Sequence, residues 1–236
     1  REAMAARESE APREVSNPLR TQRRSPAPVS AERAEPVQER QLLDSRIVLT
    51  EVAANRREAI LDKGITLKAE PFMESSILTR EQAMSLYFSL PFEYAPSTHL
   101  IWSSVKYGFS MQTLHALVDS NGTTVLVAKC GDKVFGGFAS TPWNTSGVRF
   151  GTARCFLFSL TDDLLIPFNR DIANAVPLMA TSGTLSFGTD DLLFGNDFNE
   201  CMSQVGGSYT SVGDGYSLAG SREFVPDTVE VFNFSA

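Results

Sequence analysis

Thr123-Thr124-Val125-Leu126-Val127-Ala128-Lys129-Cys130-Gly131-Asp132-Lys133-Val134-Phe135-Gly136-Gly137-Phe138-Ala139-Ser140 is the stretch on which the fold turns. Two runs of β-branched and aromatic residues flank Gly131-Asp132, a pair suited to a tight turn, so the segment reads as a β-hairpin. Ahead of it the period is helical. Thr79-Arg80-Glu81-Gln82 is a capping box, followed by Ala83, Met84, Tyr87 and Leu90 at helical spacing until Pro91 stops the run. Ser110 caps a second helix with Met111, Leu114, Leu117 and Val118 on one face. Behind the hairpin, Cys155–Leu160, Thr184–Phe187, Leu192–Phe194 and Thr228–Phe234 read as strands separated by Gly, Asp and Asn, and Leu100–Trp102 as one more ahead of it. Helices followed by mostly strands make an α+β fold: an antiparallel two-sheet β-sandwich flanked by helices. On a sheet with one buried face, Phe156 and Phe158 are expected to matter unequally.

The 236 residues divide unevenly. Every Phe, Trp and Tyr lies at or beyond Phe72, and the first glycine is Gly64, so the core is C-terminal. We divide the chain into an extended arm over 1–43, a helix and linker over 44–71, and a globular domain over 72–236. A domain of about 165 residues removes close to 70% of its unfolded surface from water, which suffices without metal or disulfide. Residues 1–40 hold eight arginines against seven glutamates, with five prolines and almost nothing to bury. Such a segment is ordered only by a partner, and trypsin should cut it early at Arg20, Arg23 and Arg24. From Asp44 to Asp62, Ile47, Val48, Val52, Ala59 and Ile60 fall on one helical face. Asp44 or Ser45 is available as the cap, and Gly64 stands past the end. This helix either packs on its own domain or docks on a partner.

The rest of the chain carries 13 basic against 21 acidic residues. An acidic surface repels phosphate backbones and anionic lipid, so nucleic acid and membrane surfaces are poor partners. No apolar run approaches the ~20 residues that span a bilayer, and no signal region opens the chain, so no membrane insertion is expected. Cys130, Cys155 and Cys201 are odd in number and lack Cys-x-x-Cys spacing, as buried reduced thiols in a cytoplasmic compartment would. With the last strand pattern running to the end of the sequence, partner contact through a C-terminal extension is not expected.

Catalytic templates fail one after another. His99 and His115 are the only possible imidazole bases and read as surface or helix-flank residues; no Gly-x-Ser-x-Gly elbow is present. Asp162-Asp163, Asp190-Asp191 and Asp197 lack the alternating pattern of a calcium loop and read as solvated loop acids. Gly206-Gly207 and Gly213-Asp214-Gly215 are not phosphate cradles, since Leu218 stands where the last glycine of the dinucleotide pattern belongs. Gly136-Gly137 inside a strand serves a bulge, or close packing of Trp143 or another ring. No cofactor is expected, and no enzymatic activity; a redox enzyme using one of the cysteines is the remote alternative.

The order of blocks is more telling than any single motif. Tyr107-Gly108-Phe109 leads to the hairpin with Phe135, Gly136, Gly137 and Phe138, then to Pro142-Trp143 and Gly151–Leu160 with Phe156 and Phe158. Leu185-Ser186-Phe187-Gly188 follows, and Tyr216–Gly220 with Val229-Glu230-Val231-Phe232 closes the series. Over roughly residues 75–234 this resembles the TLDc domain of the oxidation-resistance proteins. Where that family commonly carries a glycine-rich stretch after Ser-Phe-Gly, this chain has Gly188-Thr189-Asp190-Asp191, a departure that puts a family surface built there in doubt. The resemblance implies a β-sandwich, a link to oxidative-stress protection, and binding to the peripheral stalk of the vacuolar proton-pumping ATPase (V-ATPase) with control of its assembly. The arm suggests a different class: a structural subunit laced into a tubulin-type assembly, ciliary or cytoskeletal.

Overall fold

The computed structural model describes residues 46–67, 69–92 and 96–235. The arm over 1–43 and the expected caps Asp44 and Ser45 lie outside them. The first helix begins later than its apolar spacing suggests. Ile47 and Val48, both β-branched, form strand β1 (Ile47–Val48), paired with Leu165 and Leu164, and helix α1 runs Leu49–Asp62. Its N-cap residue is Val48, which has no capping side chain. Asp163 of a distant turn supplies the acceptors: Leu49 N donates to its carbonyl (3.1 Å), and Thr50 N (2.9 Å) and Thr50 Oγ1 (2.6 Å) to its carboxylate. At the far end Gly64 takes φ +71°, and bonds from Gly64 N to Leu61 O and Ile65 N to Ile60 O close a Schellman turn. Leu49 and Ala53 are the residues α1 buries, so it packs on its own domain; Val52 and Ile60 are only half-buried and Ala59 is exposed.

Helix α2 (Arg80–Ser89) starts on the capping box, with Gln82 N bonded to Thr79 Oγ1 and Thr79 N to Gln82 Oε1. Strand β2 (Ser97–Ser103) is longer than expected and contains His99. A four-residue helix α3 (Ser104–Tyr107) follows and ends at Gly108 (φ +71°); α4 (Met111–Val118) begins on Ser110, whose Oγ accepts from Thr113 N.

Strands β3 (Thr124–Cys130) and β4 (Lys133–Ala139) pair in unbroken register from Thr124 opposite Ala139 to Cys130 opposite Lys133. Gly131 alone of the two turn residues has positive φ (+56°), as a type II′ turn requires. The remaining strands are β5 (Phe156–Ser159), β6 (Leu164–Pro167), β7 (Leu178–Thr181), β8 (Thr184–Phe187), β9 (Leu192–Gly195), β10 (Cys201–Met202), β11 (Glu223–Phe224) and β12 (Thr228–Ser235). They form two antiparallel sheets, in the orders β1-β6-β5-β4-β3-β12-β2 and β11-β10-β9-β8-β7. Four of these strands, β6, β7, β10 and β11, span only two to four residues and carry too little periodicity to be read in advance.

The larger sheet is buried on both faces. Leu126, Ala128, Phe135, Leu157, Val229 and Val231 join the smaller sheet's Leu185, Phe187 and Phe194 in one core. Val125, Val127, Phe138, Phe156, Phe158 and Phe232 form a second core with Leu49 and Ala53 of α1 and Leu86 and Phe88 of α2. The expectation that only one of Phe156 and Phe158 matters is therefore corrected: residues two apart share a face, both are buried, and Leu157 is buried on the other.

Gly136-Gly137 serve ring packing, with no bulge in the β3–β4 register. A Cβ on Gly137 would sit 2.6 Å from Phe187 Cε1, and one on Gly136 would overlap the Leu126 carbonyl oxygen and come within 2.8 Å of Phe158 Cζ. The rings concerned are Phe187 and Phe158. Trp143 stands edge-on to Phe187 (5.3 Å) and donates its Nε1–H to Thr124 Oγ1 (2.9 Å).

Candidate functional site

The acids read as solvated loop residues are, with one exception, bound into the structure. Asp191, in the turn between β8 and β9, is fully buried. Its Oδ1 accepts four consecutive backbone amides: Gly206 (2.9 Å), Gly207 (3.0 Å), Ser208 (3.2 Å) and Tyr209 (3.2 Å). Such a concave run of N–H groups is an anion nest. Gly206-Gly207 is thus a cradle after all, filled by a carboxylate of the same chain. Among the described residues Asp191 Oδ2 has no hydrogen-bond partner, and a Cβ at Gly188 (φ +72°) would fall on it, which is why that position is glycine. Burial pushes the Asp191 carboxyl above its ordinary range, against the opposing pull of the four amides.

This nest fixes one end of a long loop. At the other end Tyr216 donates its hydroxyl to Asp162 Oδ2 (2.8 Å), while Lys133 Nζ reaches Asp162 Oδ1 (2.6 Å) and Ser159 Oγ reaches Oδ2 (3.1 Å). Burial alone would raise the Asp162 carboxyl, but the Lys133, Tyr216 and Ser159 bonds outweigh it and hold the carboxyl below the usual range. Burial, with the Asp162 bond second, pushes the Tyr216 phenol well up. Midway, Arg46 Nη2 donates to Val212 O (2.8 Å). Asp197 sits in a turn where Asn196, Asp197 and Phe198 all take positive φ (45°, 51° and 68°), a conformation costing L-residues roughly 1–2 kcal/mol each. That turn delivers Asp197 Oδ1 to Met111 N (2.7 Å) at the start of α4, and stacks Phe198 on Trp102 (5.6 Å). Asp190 remains exposed. It lines an open recess of about 410 Å³ with Thr189, Gln204, Gly206, Gly207 and Ser211.

The histidines do not converge on a reaction centre. His99 is exposed, with Nε2 2.8 Å from Ser235 Oγ. His115 is not at the surface as read from sequence but 8% exposed, with Nδ1 2.9 Å from Asp119 Oδ1 and Nε2 3.3 Å from Thr184 O. It lies on the buried side of α4 between Leu114 and Val118, a face the helical spacing alone assigned to its neighbours. Cys155 and Cys201 are buried free thiols, whereas Cys130 is partly exposed, a correction to the uniform burial expected. Burial pushes the Cys201 thiol up to about 12, and burial with Asp227 beside it raises Cys130. Neither is a ready thiolate. Among the described residues no three His, Cys, Asp or Glu side chains cluster as a metal site, and no helix is long and apolar enough to cross a membrane.

Sequence reasoning missed Glu230. It is buried within the apolar run of β12, and Ser75 Oγ (2.5 Å), Ser76 N and Ser76 Oγ (both 2.7 Å) donate to it, tying the segment before α2 onto the sheet. An acid between Val229 and Val231 was the available signal.

The chain folds as a two-sheet antiparallel sandwich with α1 and α2 over the outer face of its larger sheet. The chain belongs to the TLDc domain family, whose model matches residues 72–235. Oxidation resistance protein 1 of Xenopus laevis is 31% identical over 171 residues, covering 68% of this chain and 19% of that protein. The MTOR-associated protein MEAK7 is 34% identical over 108 residues in Xenopus laevis (45% of this chain, 23% of that protein) and 36% over 92 residues in Homo sapiens (39% and 20%). The chain thus spans about a fifth of the length of these relatives. The motif residues Gly108, Phe135, Gly136, Gly137, Phe138, Trp143, Phe156, Phe158, Phe187, Gly188 and Gly220 all fall within the matched span. They occupy turns and both cores and do not gather at one surface.

Proposed function

We propose that this chain is a non-catalytic protein-interaction module that binds the peripheral stalk of the V-ATPase from its cytoplasmic side and regulates pump assembly. The observation that carries this reading is the TLDc match over residues 72–235, together with the likeness to oxidation resistance protein 1. The arrangement of titratable groups supports the non-catalytic part: both histidines and two of the three thiols are engaged or buried, and the loop acids Asp162, Asp163, Asp191 and Asp197 serve as hydrogen-bond acceptors for the fold. The mTOR association in the name of MEAK7 belongs to that protein and is an independent candidate partner here. Co-purification of the tagged chain from native cells with mass spectrometry tests the reading. Peripheral-stalk subunits should be enriched, and purified stalk should bind the purified chain directly. Recovery of tubulin without pump subunits would replace this reading with the filament-subunit one.

A further inference from the structure

Asn121 and Gly122, the one Asn-Gly pair in the sequence, lie in the connection between α4 and β3. Helix α4 ends with Asp119 N bonded to His115 O (3.1 Å). Ser120 then takes φ +65° and donates its N–H to Trp143 O (3.2 Å), and Asn121 N reaches back to Val118 O (3.3 Å). The Asn121 side chain completes the helix end: its Nδ2 donates to Leu117 O (2.5 Å), one of the last-turn carbonyls that the helix itself leaves without a donor. Gly122 follows with φ +76° and open space where a Cβ would stand.

We propose that Asn121 is a site of spontaneous modification, at which deamidation releases this cap and loosens the joint between α4 and the β3–β4 hairpin. This goes beyond the proposed function and does not depend on it. In the reaction the Gly122 backbone nitrogen attacks Asn121 Cγ. An N–C bond forms, the Cγ–Nδ2 bond breaks, and the side-chain nitrogen leaves as ammonia, carrying the proton of the Gly122 N–H. Water then opens the succinimide ring at one carbonyl to give an aspartyl residue, or at the other to give an isoaspartyl residue. No oxidant, reductant or enzyme is required.

Three features of the turn favour this chemistry. Asn121 is exposed, so ammonia leaves and water enters freely. The Gly122 N–H has no hydrogen-bond partner among the described residues, so the attacking nitrogen is not tied into the backbone; the amides that follow Asn174 and Asn199 are, with Ala175 N bonded to Ile172 O and Glu200 N to Gly195 O. Gly122 also carries no side chain to hinder ring closure. The product cannot restore the cap. A carboxylate only accepts, so it meets the Leu117 carbonyl acceptor to acceptor, and it adds negative charge at the end of α4 where Asp119 already stands. The isoaspartyl form also lengthens the main chain by one methylene between Ser120, held on Trp143 O, and Thr124, whose Oγ1 accepts from Trp143 Nε1.

Tryptic mapping of the folded chain held at mildly alkaline pH tests the proposal. The peptide Tyr107–Lys129 has Asn121 as its one asparagine. It should be the first asparagine-bearing peptide to convert, giving aspartyl and isoaspartyl forms that separate by chromatography, and the conversion should be lost in Asn121→Gln. The same chain unfolded in urea is the reference. Conversion there, with none in the folded protein or with another asparagine modified first, would show that the turn protects Asn121 and would overturn the proposal. Asn121→Asp, which introduces the charge alone, should lower the urea midpoint relative to wild type at unchanged slope; a midpoint equal to that of wild type would refute the release of the cap.

Discussion

Gly137→Ala should destabilise the protein by about 1–2 kcal/mol. The added methyl would stand 2.6, 2.7 and 2.8 Å from Cε1, Cζ and Cδ1 of Phe187. Carbon atoms rest at about 3.5–4.0 Å, so the ring must retreat by about 1 Å. It has little freedom to do so: Phe187 is fully buried, and Trp143 stands edge-on to it at 5.3 Å. Overpacking of this kind costs about 1–3 kcal/mol. The alanine also restricts the unfolded chain, which returns about 0.4–1 kcal/mol. For a domain of this size the net loss corresponds to a fall in Tm of about 2–8 °C. Urea denaturation followed by the fluorescence of the buried Trp102 and Trp143 should show a lower midpoint at unchanged slope. Gly183→Ala is the control, since a methyl there meets nothing within 4 Å and φ is ordinary; its midpoint should hold or rise. Gly136→Ala should cost more than Gly137→Ala, because it meets the Leu126 carbonyl, which cannot move without breaking the sheet. In a double-mutant cycle, Phe187→Leu should recover part of the Gly137→Ala loss. Equal midpoints for Gly137→Ala and Gly183→Ala would refute the close packing of the glycine strand against the Phe187 ring.

Four further outcomes are expected. Phe156→Ala and Phe158→Ala should each lose about 3–5 kcal/mol and Leu157→Ala about 2–5 kcal/mol, since both faces of β5 are buried; a near-neutral Leu157→Ala would mean that the smaller sheet does not cover it. Asp162 and Asp191 should respond oppositely to pH, as measured by urea titrations from acid to neutral. Asp162, held low, lends stability above the ordinary carboxylate range that is lost as pH falls through its folded value, so the deficit of Asp162→Asn should vanish in strong acid. Asp191, held high, contributes most below that range and less as pH rises through its folded value, so the advantage of wild type over Asp191→Asn should shrink toward neutrality. Thiol labelling in the folded state should modify Cys130 first and Cys201 only on unfolding, and labelling of Cys201 at the rate of a free thiol would contradict its burial. His99→Gln and His115→Gln together with Cys→Ser at all three cysteines should leave stalk binding within about tenfold wherever the fold survives, whereas loss of a protective effect with binding intact would point to catalysis.

Features written in neighbouring residues were determined by sequence alone. The Gly131-Asp132 hairpin, the Thr79–Gln82 box, the Ser110 cap and the Gly64 terminus each close hydrogen bonds within a few positions, so residue type and spacing suffice. The order of the aromatic and glycine blocks likewise carried the family. What tertiary structure alone decided are contacts between segments remote in the chain. Asp191 meets its four amides 15 to 18 residues later, and Asp163 caps a helix 113 residues earlier, so nothing local distinguishes either from a solvated loop acid. Burial of the larger sheet on both faces depends on α1 and α2 folding back over Phe156 and Phe158, while the burial of His115 depends on α4 meeting the β7–β8 hairpin at Thr184. The energy of such pairings resides in desolvation and in matched acceptors brought together by the whole fold, quantities that the identity of a single residue and its neighbours does not contain.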